Sequence, residues 1–197
     1  AAYPELRITK LVLPSDGSLT SIGDRAFYGC SGLKGVLTLP DSLSLVGAGA
    51  FGGTGYSTVY LPDREGISYG AGAFAGGSPS AAVICPSEAS YHALKQAGIG
   101  GSDKALTYQL MLQFQADGKV VEERPVLYNR AISLYRQADG SWANQKDYRL
   151  PAIPNQDVGR SYRWVFAPAS DEEVTPRTPV TGKVLTVSST ISSPSIT

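Results

Sequence analysis

The chain has 197 residues, room for one medium domain or two small ones, and its 22 glycines and 13 prolines point to many turns and few long helices. Seventeen basic residues balance seventeen acidic ones, so no net field draws in nucleic acid or an anionic membrane surface. Charged, glycine and proline positions break every apolar stretch short of the roughly eighteen residues a spanning helix needs, which excludes membrane insertion by this segment.

The first residues, Ala1-Ala2-Tyr3-Pro4, lack the basic-then-apolar layout of a signal peptide; a leader already removed would leave no trace, so the compartment stays open. From Leu6 and Ile8 onward the chain repeats. Ile22-Gly23-Asp24-Arg25-Ala26-Phe27-Tyr28-Gly29-Cys30 is echoed by Val46-Gly47-Ala48-Gly49-Ala50-Phe51-Gly52-Gly53-Thr54 and by Tyr69-Gly70-Ala71-Gly72-Ala73-Phe74-Ala75-Gly76-Gly77, in the frame apolar-Gly-x-x-Ala-Phe-x-Gly. Each block leads into an apolar segment that ends in proline: Val36-Leu37-Thr38-Leu39-Pro40, Val59-Tyr60-Leu61-Pro62 and Val83-Ile84-Cys85-Pro86, with Leu11-Val12-Leu13-Pro14 one repeat earlier. The phenylalanines recur at 24 and 23 residues and the prolines at 26, 22 and 24, the period of a leucine-rich repeat.

Such a repeat is a short strand that stacks on its neighbour, ended by a proline that cannot donate to the ladder. The spacing predicts that Phe27, Phe51 and Phe74 point inward as one aromatic column, and that the outer strand face is exposed and available for binding. Cys30 and Cys85 sit at different phases of the repeat, too far apart for a disulfide, and read as small buried apolar residues. Two cysteines are also too few for a thiolate metal site.

The stretch Ile22-Gly23-x-x-Ala26-Phe27-x-Gly29-Cys30-x-x-Leu33, followed by a strand ending Leu39-Pro40, resembles the type 5, BspA-like leucine-rich repeats of bacterial surface proteins, over residues 6–98. In the second and third repeats Thr54 and Gly77 stand where that family has cysteine. The resemblance implies a short solenoid, an extracellular or cell-surface location, and a host or neighbouring-cell protein, or a glycan, as partner.

Residues 86–98 read as a helix that closes the stack, with Ser87 as N-cap, Gly98 as stop, and Ala89, Ala93 and Leu94 on the buried side. No comparable cap is visible at the other end, so either the first residues cap it or more repeats precede them. The glycine-rich stretch 98–103 reads as a linker. Tyr108, Leu110, Leu112 and Phe114 then alternate with Gln109, Met111, Gln113 and Gln115, a strand with one wet face, and Asp117-Gly118 turns it into a second strand over 120–128. Further strands are expected at 131–136 and 161–167, on either side of the turn Asp139-Gly140-Ser141, with Trp164, Phe114 and Leu134 at the core. The order of strand, turn and strand, then Leu150-Pro151 and Tyr162-x-Trp164, resembles the small β-grasp repeats found beside leucine-rich repeats, such as the internalin B-type repeat. The glycine that this family places before its tryptophan is missing, and Gly159 is displaced. From 170 the Ser, Thr and Pro content reads as a stalk, with 183–187 as a further edge strand.

The fold class expected is therefore α+β, mostly β: a repeat stack over 1–101, a small β-rich, β-grasp-like domain over 105–169, and a tail or edge strand over 170–197. No catalytic, cofactor-binding or metal residue is predicted, no cofactor is implied, and no ligand-binding residue is singled out. His92, the one histidine, lies on the capping helix with no nucleophile motif around any serine or cysteine. Glu122 and Glu123 would face opposite ways on a solvated strand and so cannot flank one glycosidic bond. Asp171-Glu172-Glu173 reads as a solvated acidic run, with weak calcium binding as the alternative. The leading expectation is a non-enzymatic binding or adhesion module. A structural spacer that presents another domain is the alternative, and a cell-wall hydrolase the third reading.

Overall fold

The three Ala-Phe blocks fold as runs of tight turns that hydrogen-bond from one repeat to the next. A computed structural model describes residues 8–77, 81–99, 106–158, 160–167 and 172–191. In the first block the N–H groups of Ala26, Tyr28 and Cys30 close turns on the carbonyls of Gly23, Arg25 and Phe27, while those of Arg25, Phe27 and Gly29 donate to Ala48, Ala50 and Gly52 at 2.9, 2.8 and 2.7 Å. Gly49, Phe51 and Gly53 donate in the same way to Ala71, Ala73 and Ala75. Alternate amides thus serve the turn and the stack, which satisfies the backbone without a continuous strand.

Two positions of the frame need left-handed backbone: φ is +53° at Arg25, +61° at Gly49 and +63° at Gly72, then +74°, +72° and +68° at Gly29, Gly53 and Gly76. The glycine that opens the second and third blocks answers to close approach instead. A Cβ on Gly47 or Gly70 would run into the backbone of Asp24 or Ala48 in the preceding repeat, whereas one on Gly23 would meet nothing within 4 Å. The aromatic column forms as the spacing predicts, with ring centroids 5.2 Å apart from Phe27 to Phe51 and 5.8 Å from Phe51 to Phe74, and planes within 16° and 2° of parallel.

Each block is flanked by short strands: β1 (Ser21–Ile22), β2 (Lys34–Thr38), β3 (Leu45–Val46), β4 (Gly55–Tyr60), β5 (Ser68–Tyr69) and β6 (Ala82–Cys85). The odd-numbered strands make one parallel ladder through Ile22, Val46 and Tyr69, and the even-numbered ones a second through Leu37, Val59 and Val83. Each repeat therefore carries two strands where its proline-ended segment alone suggested one, because the apolar residue before the opening glycine is itself extended and points inward. Leu11-Val12-Leu13 is not a strand. The close approach in this region is at Ile8, whose carbonyl oxygen would lie 2.6 Å from a Cβ on Gly32, while Val12 stands 73 % exposed.

Helix α1 (Glu88–Gln96) starts at Ser87, whose hydroxyl accepts the N–H of Ser90 at 3.1 Å, and ends before Gly98 at φ +71°. Its buried residue is Tyr91, set 5.4 Å from the Tyr108 ring; Ala89 and Ala93, expected to be inside, are exposed, and Leu94 is half-buried. An aromatic ring offers far more apolar area than two methyl groups, so the helix turns its tyrosine inward. β7 (Leu106–Ala116) then continues the even ladder with Leu106, Thr107 and Tyr108 beside Val83, Ile84 and Cys85.

The chain divides into two compact units, 1–108 together with Gln137–Trp142, and 109–136 together with 143–197. Residues 100–103 of the expected linker lie outside the described residues. In the second unit β7 pairs antiparallel with β8 (Lys119–Leu127) through Asp117 and Gly118, at φ +51° and +72°, the paired left-handed residues of a tight hairpin turn. The alternation holds: Leu110, Leu112 and Phe114 are buried, while Gln109 and Met111 are exposed. β9 (Leu134–Arg136) and β10 (Trp142–Asn144) form a short pair, and β11 (Arg160–Phe166) runs antiparallel to β12 (Val184–Ile191).

Two expectations are corrected here. The strand expected at 183–187 is present and longer, Val184–Ile191, but it is neither stalk nor edge: β12 is hydrogen-bonded to β11 on one side and parallel to β7 on the other, with Leu185 fully buried. The β-branched Val184, Thr186 and Val187, with the apolar Leu185 among them, outweigh the Ser/Thr bias around them. Residues 192–197 lie outside the described residues. Leu134 is only half-buried, and its expected place in the core goes to Ile132, which joins Leu112, Phe114, Leu127, Val126 and Leu185 at 0 % exposure. Trp164 takes its expected position, edge-on to Phe114 at 5.2 Å, with its indole N–H donated to the Pro151 carbonyl at 3.0 Å. Apart from one short helix, the regular secondary structure of the described residues is all strand.

Candidate functional site

The outer face of the even ladder is where the repeat stack was expected to bind. With Leu37, Val59 and Val83 pointing inward, the alternation of strand side chains places Thr38, Tyr60, Ile84 and Thr107 outward in one register row, and Val36, Thr58 and Ala82 in another. Only the β2 end of this face is open. Thr38 is exposed and Tyr60 half-buried, but Ile84 is 4 % and Thr58 and Thr107 are 0 % exposed. Thr58 Oγ1 is buried without a hydrogen-bond partner, a cost of about 1 to 3 kcal/mol in a site that does not pair it.

At Tyr60 the occupant is the chain itself. The phenol donates its single proton to the Gly140 carbonyl at 2.8 Å and accepts the Trp142 indole N–H at 3.2 Å. The turn that delivers these groups holds its own shape. Asp139 Oδ1 accepts the Ser141 N–H at 2.9 Å and its hydroxyl at 2.6 Å, Gln137 N–H donates to the Ser141 carbonyl at 2.7 Å, and Gly140 takes φ +83°. Those bonds from Ser141 lower the Asp139 pKa and keep its carboxylate charged. The turn Asp139-Gly140-Ser141 was legible in the sequence; its seat on Tyr60, 80 residues earlier, was not, since no local pattern encodes that distance.

A second concavity, of about 300 Å³, opens between the loop after β4 and the outer side of α1. Leu61, Ile67, Tyr69, Ala89, Ala93 and Leu94 line it. The helix side read from sequence as buried thus faces a groove. Burial pushes the Tyr69 phenol well above its ordinary range, and Arg64 at the rim donates to the Asp41 carbonyl at 3.1 Å.

The residues weighed for catalysis are scattered. His92 is exposed on α1. Glu122 and Glu123 do lie on opposite faces of β8: Glu123 accepts the Gln113 side-chain amide at 2.6 Å, while half-buried Glu122 accepts the Tyr148 hydroxyl at 3.4 Å. Glu122 is thus less solvated than a bare hairpin implied. Arg124 lies 3.8 Å over the Tyr148 ring, filling the same side of the strand. Cys30 and Cys85 are free thiols; Cys85 is buried as expected, which pushes its thiol up to about 12, while Cys30 is only half-buried. No three His, Cys, Asp or Glu side chains converge on a metal site among the described residues. Asp171 lies outside them.

Parallel rungs that recur with Ala-Phe turns and an inner column of leucine, valine and phenylalanine are the pattern of a leucine-rich repeat, and here they occupy the first half of the chain. Residues 1–95 match the family model of the BspA type Leucine rich repeat region in six copies, so this stretch is a BspA-type leucine-rich-repeat region. Comparison with curated proteins and with solved structures finds no match. Among the described residues, no helix is long and apolar enough to cross a membrane.

Proposed function

We propose that the chain is a non-enzymatic binding or adhesion module of a bacterial cell surface, with the repeat region offering the contact surface to a protein or glycan. The observation that carries this reading is the BspA-type repeat region over 1–95, folded as in-register parallel rungs, a solenoid in our reading. The second unit, β-grasp-like in our reading, spaces that surface from the envelope. Binding on a chain with no net charge rests on shape and hydrogen bonds rather than on a long-range field, so it survives high salt. The test is saturable binding of the full chain to extracellular-matrix proteins and to a glycan array, at low and high salt. Saturable, salt-resistant binding to one partner supports the reading, and blank panels overturn it.

The burial of Thr58, Ile84 and Thr107 favours a second reading, a structural spacer whose strand face is already used. That reading expects blank panels, together with loss of function in the longer surface protein when the segment is shortened.

A further inference from the structure

We propose that the strand face at Tyr60 is a receptor for a tight turn that presents a backbone carbonyl and an indole, with the chain's own Gln137–Trp142 turn as its resident occupant. The inference stands apart from the identity of any external partner, so its failure would leave the surface-binding reading untouched.

Three observations converge on it. Tyr60 directs its phenol proton to Gly140 and a lone pair to Trp142 of the same segment, a two-point match made at a single oxygen atom, as a hydroxyl can. The turn is preorganised by bonds that do not involve Tyr60, from Ser141 to the Asp139 carboxylate, from the Gln137 N–H to the Ser141 carbonyl and from the Gly140 N–H to the Gln137 carbonyl, so it meets the phenol as a shaped ligand and loses little entropy on docking. Tyr60 and Trp142 both remain half-buried, so the pair sits at a rim that a peptide of the same chemistry can reach.

The probe is a dye-labelled peptide with the sequence of residues 135–144, titrated against the full chain and followed by fluorescence anisotropy. In the native chain the resident turn competes at very high effective concentration, and peptide binding is weak. Gly140→Val disfavours the φ of +83° and unseats the resident. The peptide then binds this variant about tenfold or more tightly, and adding Tyr60→Phe abolishes the gain, as the loss of two hydrogen bonds predicts. A peptide that binds native chain and Gly140→Val alike, or that ignores Tyr60→Phe, overturns the proposal.

A second measurement covers the case in which Gly140→Val does not fold. In the single variant Tyr60→Phe, amide exchange over 137–142 should quicken about tenfold while the β4 and β6 amides keep their rates. Unchanged exchange in the turn overturns the proposal just as directly.

Discussion

Phe51 has a ring on each side of it and is 1 % exposed, so truncating it leaves a cavity that neither neighbour can fill without breaking the register of the turns. Phe51→Ala should cost about 3 to 5 kcal/mol, a large part of a small unit's stability, and lower the first melting transition of the full chain. An unchanged melting temperature would mean that the column does not support the stack. The glycines allow a sharper comparison, because Gly23 and Gly70 occupy the same frame position with different surroundings. Gly70→Ala drives a methyl group into the backbone at Ala48 and should cost about 1 to 3 kcal/mol or more, while Gly23→Ala, with nothing within 4 Å, should stay within about 0.5 kcal/mol. Denaturant midpoints of the two variants decide it, and equal shifts would argue against tight stacking. The sequence shows that both are glycine. Only the stacked neighbour shows that one is required.

β12 is the element where local composition and tertiary structure part most clearly. A tail tolerates almost any change, but Leu185 is fully buried between strands on both sides, so Leu185→Ala should cost about 2 to 5 kcal/mol, read from the second unit's urea transition. A change within about 0.5 kcal/mol would restore the tail reading. β8, by contrast, reads as a strand from alternation and the Asp117-Gly118 turn, and its structure adds Pro125 and the charged run Glu122-Glu123-Arg124, the devices by which exposed strands resist pairing with other chains. Helix α1 falls between these cases. Ser87 and Gly98 mark its ends because capping is a local property, but which side it buries depends on what it packs against, and the Tyr108 ring of another element takes Tyr91 in preference to the alanines.

At the scale of the whole molecule, the burial of a thiol and several phenols makes the alkaline limit informative. The Cys85 thiol is pushed from 9.0 up to about 12 by burial, and burial likewise raises the phenols of Tyr56, Tyr69 and Tyr148. The unfolded chain ionises these groups at their ordinary values, so the folded state holds their protons more firmly. That stability is complete below about pH 9 and is lost as the pH climbs toward about 12. Urea midpoints measured from about pH 8 to 11 should therefore fall, with a shallower slope in Cys85→Ala; a flat profile would show that the thiol and phenols reach solvent. The sequence by itself determined the repeat, its period, the inward phenylalanines, the helix ends and the main hairpin, because each follows from spacing and from the φ preferences of residues a few positions apart. Tertiary structure alone decided that each repeat carries two strands, that Val184–Ile191 lies between two partners, and that a turn near residue 140 seats on Tyr60. Those outcomes depend on which distant surfaces bury together, and that free energy is spread over many residues with no local pattern to announce it.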